Sequence, residues 1–140
     1  MAITTAKGTL VQIGDGASPE VFSTIGQVRS VTRSASAEIV DITTHATAGN
    51  YREKLAVLVD PGETTFSVNW DIIDATHNFA TGLWAHMTNL RKRGLRIIFP
   101  GIAGTILTKG YVSNHSFSAP IDNVLSADIT VANTGAITAA

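Results

Sequence analysis

The sequence predicts a mainly β protein, a sandwich or barrel-like domain of seven to eight antiparallel strands with one flanking α-helix. Polar and apolar residues alternate over several short segments, turn residues separate those segments, and only one stretch shows helical periodicity. A chain of 140 residues has the size of one domain, so we expect residues 1–140 to form a single unit.

The segment from Pro61 to Pro100 is predicted to form a strand, a helix and a second strand. Aromatic and β-branched residues occupy every second position of the first strand, at Thr64, Phe66, Val68, Trp70 and Ile72. The second strand alternates in the same way, with apolar residues at Leu95, Ile97 and Phe99. A helix packed on one face of a sheet is the architecture that this order favours.

The helix between these strands is expected to run from about Ala75 to Arg93. Asp74 is its predicted N-cap, and Gly94 its stop. An apolar stripe at helical spacing contains Phe79, Leu83, Met87 and Leu90, widened by Ala80 and Trp84. Together, these segments and the last strand give the expected core: Phe66, Val68, Trp70, Phe79, Leu83, Trp84, Met87, Ile97, Phe99 and Ile129.

Five further strands are predicted outside this segment. Their approximate ranges are 9–13, 21–33 with a bend near Gly26, 38–44, 105–117 with a bend at Gly110, and 124–131. Residues 1–6 are expected to be a mobile N-terminal arm. Residues 133–140 are expected to be a C-terminal tail that pairs or frays.

Residues 45–59 form the segment that periodicity explains least. They show no sustained alternation, and a connection of this length is uncommon unless it is functional or disordered. We expect a long mobile loop whose exposed Tyr51 and Leu55 are available to a partner. The alternative is a plain surface hairpin.

Candidate catalytic and metal-ligating residues are few. His77 and His86 are nine residues apart, which places them on opposite faces of the predicted helix, and His45 and His115 have no second ligand at a useful spacing. Asp71 and Asp74 are explained by a strand position and a helix cap. The chain has no cysteine. The sequence therefore predicts no catalytic, cofactor-binding or metal-binding residue, and no enzymatic activity.

Composition and charge narrow the class of protein. The net charge is −1, which argues against a protein that grips nucleic acid through a basic surface. The basic cluster Arg91–Arg93 and Arg96 is more economically explained by the C-terminus of the predicted helix. No apolar run approaches the ~20 residues needed to span a bilayer, and we expect no membrane partner. Abundant Thr, Ala and Ser suit a surface buried against copies of itself, or an ordinary β-rich domain.

Four segments, in this order, resemble the tail tube (major tail) proteins of long-tailed bacteriophages and gene transfer agents. They are Glu63–Trp70 before the helix, Arg96–Gly101 with its Phe-Pro-Gly end, Gly110–Ser113, and Ile129–Gly135 in the closing strand. The similarity extends from about Val28 to Gly135, and the order and spacing of the segments are more specific than any one of them.

The resemblance implies a structural virion protein that assembles into stacked hexameric rings and forms a hollow tube through which DNA is ejected without specific binding. By position, residues 45–59 correspond to the family's ring-to-ring loop, which becomes ordered when rings stack. The implied subunit and ring-stacking contacts are His45, Ala48, Asn50, Tyr51, Arg52, Glu53, Lys54 and Leu55. The implied partners are the chain itself, the tape-measure protein, the tail terminator and the tail-tip proteins. The implied location is the virion tail, with the host cytoplasm during assembly.

Two other functions stay open from the sequence. One is a small β-sandwich binding module for carbohydrate or protein, although most of the nine aromatic residues fall at predicted core positions. The other is the tube protein of a secretion system or of another phage-tail-like particle, which is built on similar subunits.

Overall fold

The computed structural model describes residues 5–101 and 104–139, which contain nine strands and one α-helix. The elements are β1 (Leu10–Gly14), β2 (Phe22–Thr24), β3 (Val28–Arg33), β4 (Ser36–Asp41), β5 (Lys54–Asp60), β6 (Glu63–Asn69), α1 (Leu83–Thr88), β7 (Lys92–Ile98), β8 (Thr105–Ser118) and β9 (Ser126–Ala139). Among the described residues, no helix is both long and apolar enough to cross a membrane.

Seven of the strands form one antiparallel sheet in the order β2-β1-β7-β8-β9-β6-β3. Strands β1 and β3 lie in contact although they are far apart in this order, so the sheet curls back towards itself. Strands β4 and β5 form a separate two-stranded ribbon. The predicted class, mainly β and antiparallel with one helix, is confirmed. The described residues contain nine strands, two more than the segments predicted above, because one predicted strand is divided and β5 was expected to be loop.

Strand β6 is the central strand of the predicted segment, and its faces are as expected. Thr64, Phe66 and Val68 are buried, whereas Glu63 and Thr65 are exposed. The buried apolar residues that form one cluster are Val11, Ile13, Ile25, Phe66, Val68, Leu83, Leu95, Val112, Ala127, Ile129 and Val131. Trp70 and Met87 pack against this cluster. Ile97 is also buried, and Phe99 and Trp84 are half-buried.

The helix is much shorter than predicted, because side chains organise residues 71–82 into successive turns. Asp74 Oδ1 accepts hydrogen bonds from the backbone N–H and the hydroxyl of Thr76, at 2.9 and 2.7 Å. Asn78 Oδ1 accepts from the backbone N–H groups of Ala80 and Thr81. Such local bonds compete with a helical backbone. The predicted range Ala75–Arg93 is therefore wrong, and Asp74 caps a turn instead of α1.

The shortened helix changes the surroundings of the residues predicted at its two ends. Phe79 is 52% exposed and Leu90 is 81% exposed, so Phe79 is not a core residue and the apolar stripe is wrong at both ends. Lys92 and Arg93 belong to β7 and do not neutralise a helix end. Gly94 also lies in β7, where its N–H donates to Glu20 Oε2 at 3.0 Å, so it is not a helix stop.

The predicted strand 21–33 is divided because its two halves have different neighbours. Strand β2 pairs with β1, whereas β3 pairs with β6. At the break, Gln27 adopts a φ of 60° and the carbonyl oxygen of Gly26 accepts a hydrogen bond from His77 Nε2 at 2.7 Å. The Nδ1 atom of the same ring accepts the N–H of Asp71 at 3.0 Å. The buried His77 thus joins the turns after β6 to the bend near Gly26.

The two longest strands complete the sheet. Strands β8 and β9 pair from Ser118↔Ser126 to Ile106↔Ala139, so Asn133–Ala139 is paired strand and does not fray. Gly110 lies between two register shifts, and a Cβ at that position would be 2.6 Å from the carbonyl oxygen of Ala132. Ala140 and residues 1–4 of the predicted N-terminal arm lie outside the described residues.

Candidate assembly surfaces

The β4–β5 hairpin is the most exposed element of the structure, and every residue of both strands is solvent-exposed. Residues 54–59 belong to β5, so the prediction of one long loop over 45–59 is wrong there, and the observed element is a hairpin. The strand was missed because Leu55–Val59 is a continuous apolar run without alternation. Such a run is typical of a strand covered on both faces.

Both faces of this hairpin carry apolar side chains. The register pairs Val40 with Leu55 and Glu38 with Leu58, so these residues share one face. Ile39 pairs with Ala56 and Ala37 pairs with Val59 on the other face. A lone two-stranded ribbon is only marginally stable in water, and adjoining exposed apolar residues make this hairpin a candidate interaction site.

The tip of the hairpin, residues 42–53, is organised by hydrogen bonds that threonine and aspartate side chains accept. Thr43 Oγ1 accepts the N–H of Glu53 at 2.8 Å, and Thr47 Oγ1 accepts the N–H of Thr44 at 3.0 Å. Asp41 forms an exposed ion pair with Arg52 at 3.3 Å. Hydrogen bonds from Thr43, and then the one from Arg52, lower the pKa of the Asp41 carboxyl.

The structure gathers all eight predicted contact residues at the tip and the start of β5, and all eight are exposed. His45, Ala48, Asn50, Tyr51, Arg52 and Glu53 belong to the tip, and Lys54 and Leu55 begin β5. Ile39, Val40 and Val59 were absent from the prediction and are equally exposed apolar residues of the hairpin. Of these three, Val59 could have been found from the sequence, because it belongs to the continuous apolar run 55–59.

The base of the hairpin is fixed to the sheet by a tight turn. Gly62 has a φ of 72°, and a Cβ at this position would overlap the carbonyl oxygen of Ser34. The N–H of Ser34 donates to the carbonyl oxygen of Glu63 at 3.0 Å. The N–H of Asn133 donates to the carbonyl oxygen of Gly62, also at 3.0 Å. The two strands of the hairpin therefore leave the sheet side by side.

A half-buried polar network supports this base from below. Arg33 donates from Nη1 to the hydroxyls of Thr64 and Thr108, at 3.2 and 2.8 Å. Asn133 Nδ2 donates to the carbonyl oxygen of Pro61 at 3.2 Å. Burial lowers the pKa of the Arg33 guanidinium, which nevertheless remains charged in proteins. The network links β3, β6, β8 and β9 at the point where the hairpin begins.

A second exposed apolar surface lies at the other end of the sheet. We call it the end patch: Ile72, Ile73, Ile121, Val124 and Leu125, each between 41% and fully exposed. The N–H of Trp70 donates to the carbonyl oxygen of Leu125 at 3.0 Å, which brings the two segments of the patch together. The surrounding stretches 69–82 and 116–128 contain four aspartates and no lysine or arginine, so the patch has an acidic border.

An aromatic cluster lies beneath this end of the sheet. Trp70 is stacked on His77 with ring centroids 5.3 Å apart, and it meets His115 and Phe117 edge-on at 5.4 and 4.9 Å. His115 is buried, and its ring nitrogens have no hydrogen-bond partner among the described residues. Burial, and to a smaller extent the nearby His77, lower the pKa of His115.

His115 makes a testable contribution to acid sensitivity. Because its pKa is lower in the folded state, the unfolded state binds more protons as the pH falls below about 6.5. We expect the free energy of unfolding to decrease over that range, and His115→Phe to reduce this decrease. Urea titrations between pH 7.5 and 5 measure the effect, with exposed His45→Gln as the control. An unchanged pH dependence in His115→Phe would contradict it.

The histidine and carboxylate side chains of the described residues do not form a metal site. Over residues 5–101 and 104–139, the structure contains no group of three or more His, Asp or Glu side chains placed to hold a metal ion. His77 is used in backbone hydrogen bonds, and His115 lies among aromatic rings.

Comparison with known families decides the class of the protein. The family model described as lambda phage tail tube protein matches residues 5–140. The chain belongs to the lambda phage tail tube protein family. It is a structural protein that forms the tube of a phage tail or related tail-like particle, and the alternative of a small β-sandwich binding module is set aside.

Solved structures share the fold of this tail tube protein at low sequence identity. A chain from the virion of a native gene transfer agent is 18% identical with a TM-score of 0.78, and 99% of each chain is covered. The tail of an empty gene transfer agent particle gives 19% identity and a TM-score of 0.73, covering 91% of this chain and 93% of that one. A chain of the SPP1 tail tube is 10% identical with a TM-score of 0.70, and the match covers 94% of this chain and 74% of that one. Comparison with curated proteins gave no match.

Proposed function

We propose that this tail tube protein assembles into hexameric rings that stack into a hollow tube, and that the β4–β5 hairpin makes the contact between successive rings. The observation that carries the proposal is the hairpin itself, which is apolar on both faces, exposed throughout and separate from the main sheet. Such a ribbon buries its apolar residues only when a neighbouring subunit covers them.

The hexamer is supported by the symmetry of similar particles. The empty gene transfer agent tail was refined with C6 symmetry, and the baseplate of the anti-feeding prophage, whose chain has a TM-score of 0.72 at 9% identity, was symmetrised six-fold. A closed ring needs a repeated head-to-tail contact between subunits around the axis. Stacking then needs a second contact, and the hairpin is a surface available for it.

The tube is proposed to conduct DNA without binding it and without catalysis. A net charge of −1 provides no general attraction for the phosphate backbone, and attraction would slow the passage of DNA. The further partners that we propose are the tape-measure protein along the bore, a tail terminator at one end and tail-tip proteins at the other. Assembly is proposed to take place in the host cytoplasm, after which the protein is part of the virion tail.

The hairpin's role is tested by a double substitution that removes its apolar character while retaining its strand structure. In Leu58→Lys with Val59→Thr, the new lysine faces Glu38 across the ribbon and threonine keeps the β-branched shape. We expect a folded protein with an unchanged melting temperature that forms no tubes, because both residues are about two-thirds exposed and touch no core. Electron microscopy and sedimentation measure assembly.

The matched control retains apolar side chains at the same two positions, as Leu58→Ile with Val59→Ile. We expect this control to form tubes like the unsubstituted chain. Normal tubes from the Leu58→Lys and Val59→Thr protein would show that rings stack through another surface.

A further inference from the structure

We infer that the end patch of one subunit receives the β4–β5 hairpin of a second copy of this chain in the adjacent ring. The inference rests on the proposed role of the hairpin in ring stacking, and it adds the surface that the hairpin contacts. Both partners are then surfaces of the same chain.

The topology places the two surfaces at opposite ends of one strand. The hairpin joins β6 through Gly62 at Glu63, which pairs with Ala132 of β9. The end patch begins after Asn69, which pairs with Ser126 at the other end of the same two strands. Seven residues of strand span about 20 Å. A head-to-tail contact between two different surfaces at opposite ends of a subunit builds an open-ended filament when the rotation between successive subunits does not close a ring.

The two surfaces are also chemically complementary. Both present exposed branched aliphatic side chains, with Leu58 and Val59 on the hairpin and Ile73 and Ile121 on the end patch. Around the patch, Asp71 and Asp122 stand in stretches that have no lysine or arginine. The outer half of the hairpin, residues 41–54, carries Arg52 and Lys54 together with Asp41 and Glu53, and Arg52 is paired with Asp41 inside the hairpin. The exposed Lys54 is therefore the cation available to the carboxylates around the patch, and an opposite charge beside an apolar centre orients such a contact.

Local hydrogen bonds to backbone groups hold the end patch in position. Asp71 Oδ1 accepts the N–H of Ile73 at 3.0 Å, which fixes the turn that presents this isoleucine. The carbonyl oxygen of Leu125 is fixed by the N–H of Trp70 at 3.0 Å. Ile73 is 89% exposed, and Ile121 is fully exposed. A surface that is already ordered loses little conformational entropy when a partner binds.

A charged substitution at the end patch separates this inference from the proposed function. We expect Ile73→Asp with Ile121→Asp to fold normally and to form no tubes. The control Ile73→Val with Ile121→Val is expected to form them. If the aspartate variant forms normal tubes while the Leu58→Lys and Val59→Thr variant forms none, the hairpin binds elsewhere and only the inference fails. An unsubstituted chain that forms no tubes would overturn both.

Disulfide trapping tests the contact directly, because the chain has no cysteine of its own. Cysteine is placed at one hairpin position, Tyr51 or Leu58, and at one patch position, Ile73 or Ile121, giving four double variants. Bridging requires Cα atoms within about 7 Å. After oxidation of assembled tubes, we expect at least one pair to give a ladder of covalent multimers on a non-reducing gel, with each single-cysteine variant remaining monomeric.

Two outcomes would contradict the head-to-tail contact. Covalent dimers of the Leu58→Cys single variant would show that hairpins meet other hairpins. Tubes that form normally and yield no ladder with any of the four pairs would show that the hairpin contacts a surface other than the end patch.

Discussion

Replacing Phe66 by alanine is expected to destabilise the protein by about 3–5 kcal/mol, the usual cost of removing a large side chain from a packed core. Phe66 is 1% exposed and lies on β6, which pairs with both β3 and β9. The surrounding strands are fixed by these ladders, so they relax only partly into the cavity. Urea or thermal unfolding of the purified subunit measures the change in the free energy of unfolding.

The control for this substitution is Thr65→Ala, one position away on the exposed face of the same strand. We expect its effect to be small, since its hydroxyl has only an exposed contact of 3.5 Å with Thr130. A Phe66→Ala protein with an unchanged melting temperature would mean that the faces of β6 are inverted.

Gly62→Ala is expected to have the second large effect. Gly62 has a left-handed backbone conformation, which is about 1–2 kcal/mol less favourable for a residue with a side chain. The new methyl group would also overlap the carbonyl oxygen of Ser34, which is backbone and has no other rotamer. We expect a loss of stability beyond that conformational cost, together with impaired tube formation, because the base of the hairpin must shift.

Gly135→Ala separates the two contributions. Gly135 has a similar φ of 79°, but no atom lies within 4 Å of the position that its Cβ would take. The difference between the two variants in free energy of unfolding therefore reports the overlap at Ser34. Equal losses in both variants would show that the hairpin base adapts without cost.

The sequence predicted best those elements whose pattern is set by a single buried face. Strand β6 alternates strictly, and the buried positions Phe66 and Val68 were identified from that alternation alone. The α-helix was overestimated because apolar spacing at Phe79 and Leu90 resembled a helical stripe. The side chains of Asp74 and Asn78 instead stabilise turns through local hydrogen bonds. The spacing of apolar residues gives no information about whether side-chain hydrogen bonds will replace the helical ones.

The candidate assembly surfaces were only partly predictable, for a different reason. Strand β5 is exposed on both faces and has no buried face to impose alternation, so its continuous apolar run did not indicate a strand. Ile121 lies in a turn between β8 and β9, where no periodic pattern exists. That its segment meets the one after β6 follows only from the pairing of β6 with β9 and from the hydrogen bond between Trp70 and Leu125. The bend near Gly26 was predicted, but its tertiary partner His77 was not.

Hydrogen exchange of residues 36–60 in the free subunit and in assembled tubes tests the central claim most directly. In the free subunit, the exposed two-stranded ribbon is expected to exchange quickly relative to β6, because a lone hairpin is only marginally stable. In tubes, we predict strong protection of both hairpin strands and of the tip, since a second copy covers them. Equally fast exchange of the hairpin in tubes and in free subunits would contradict its role in ring stacking.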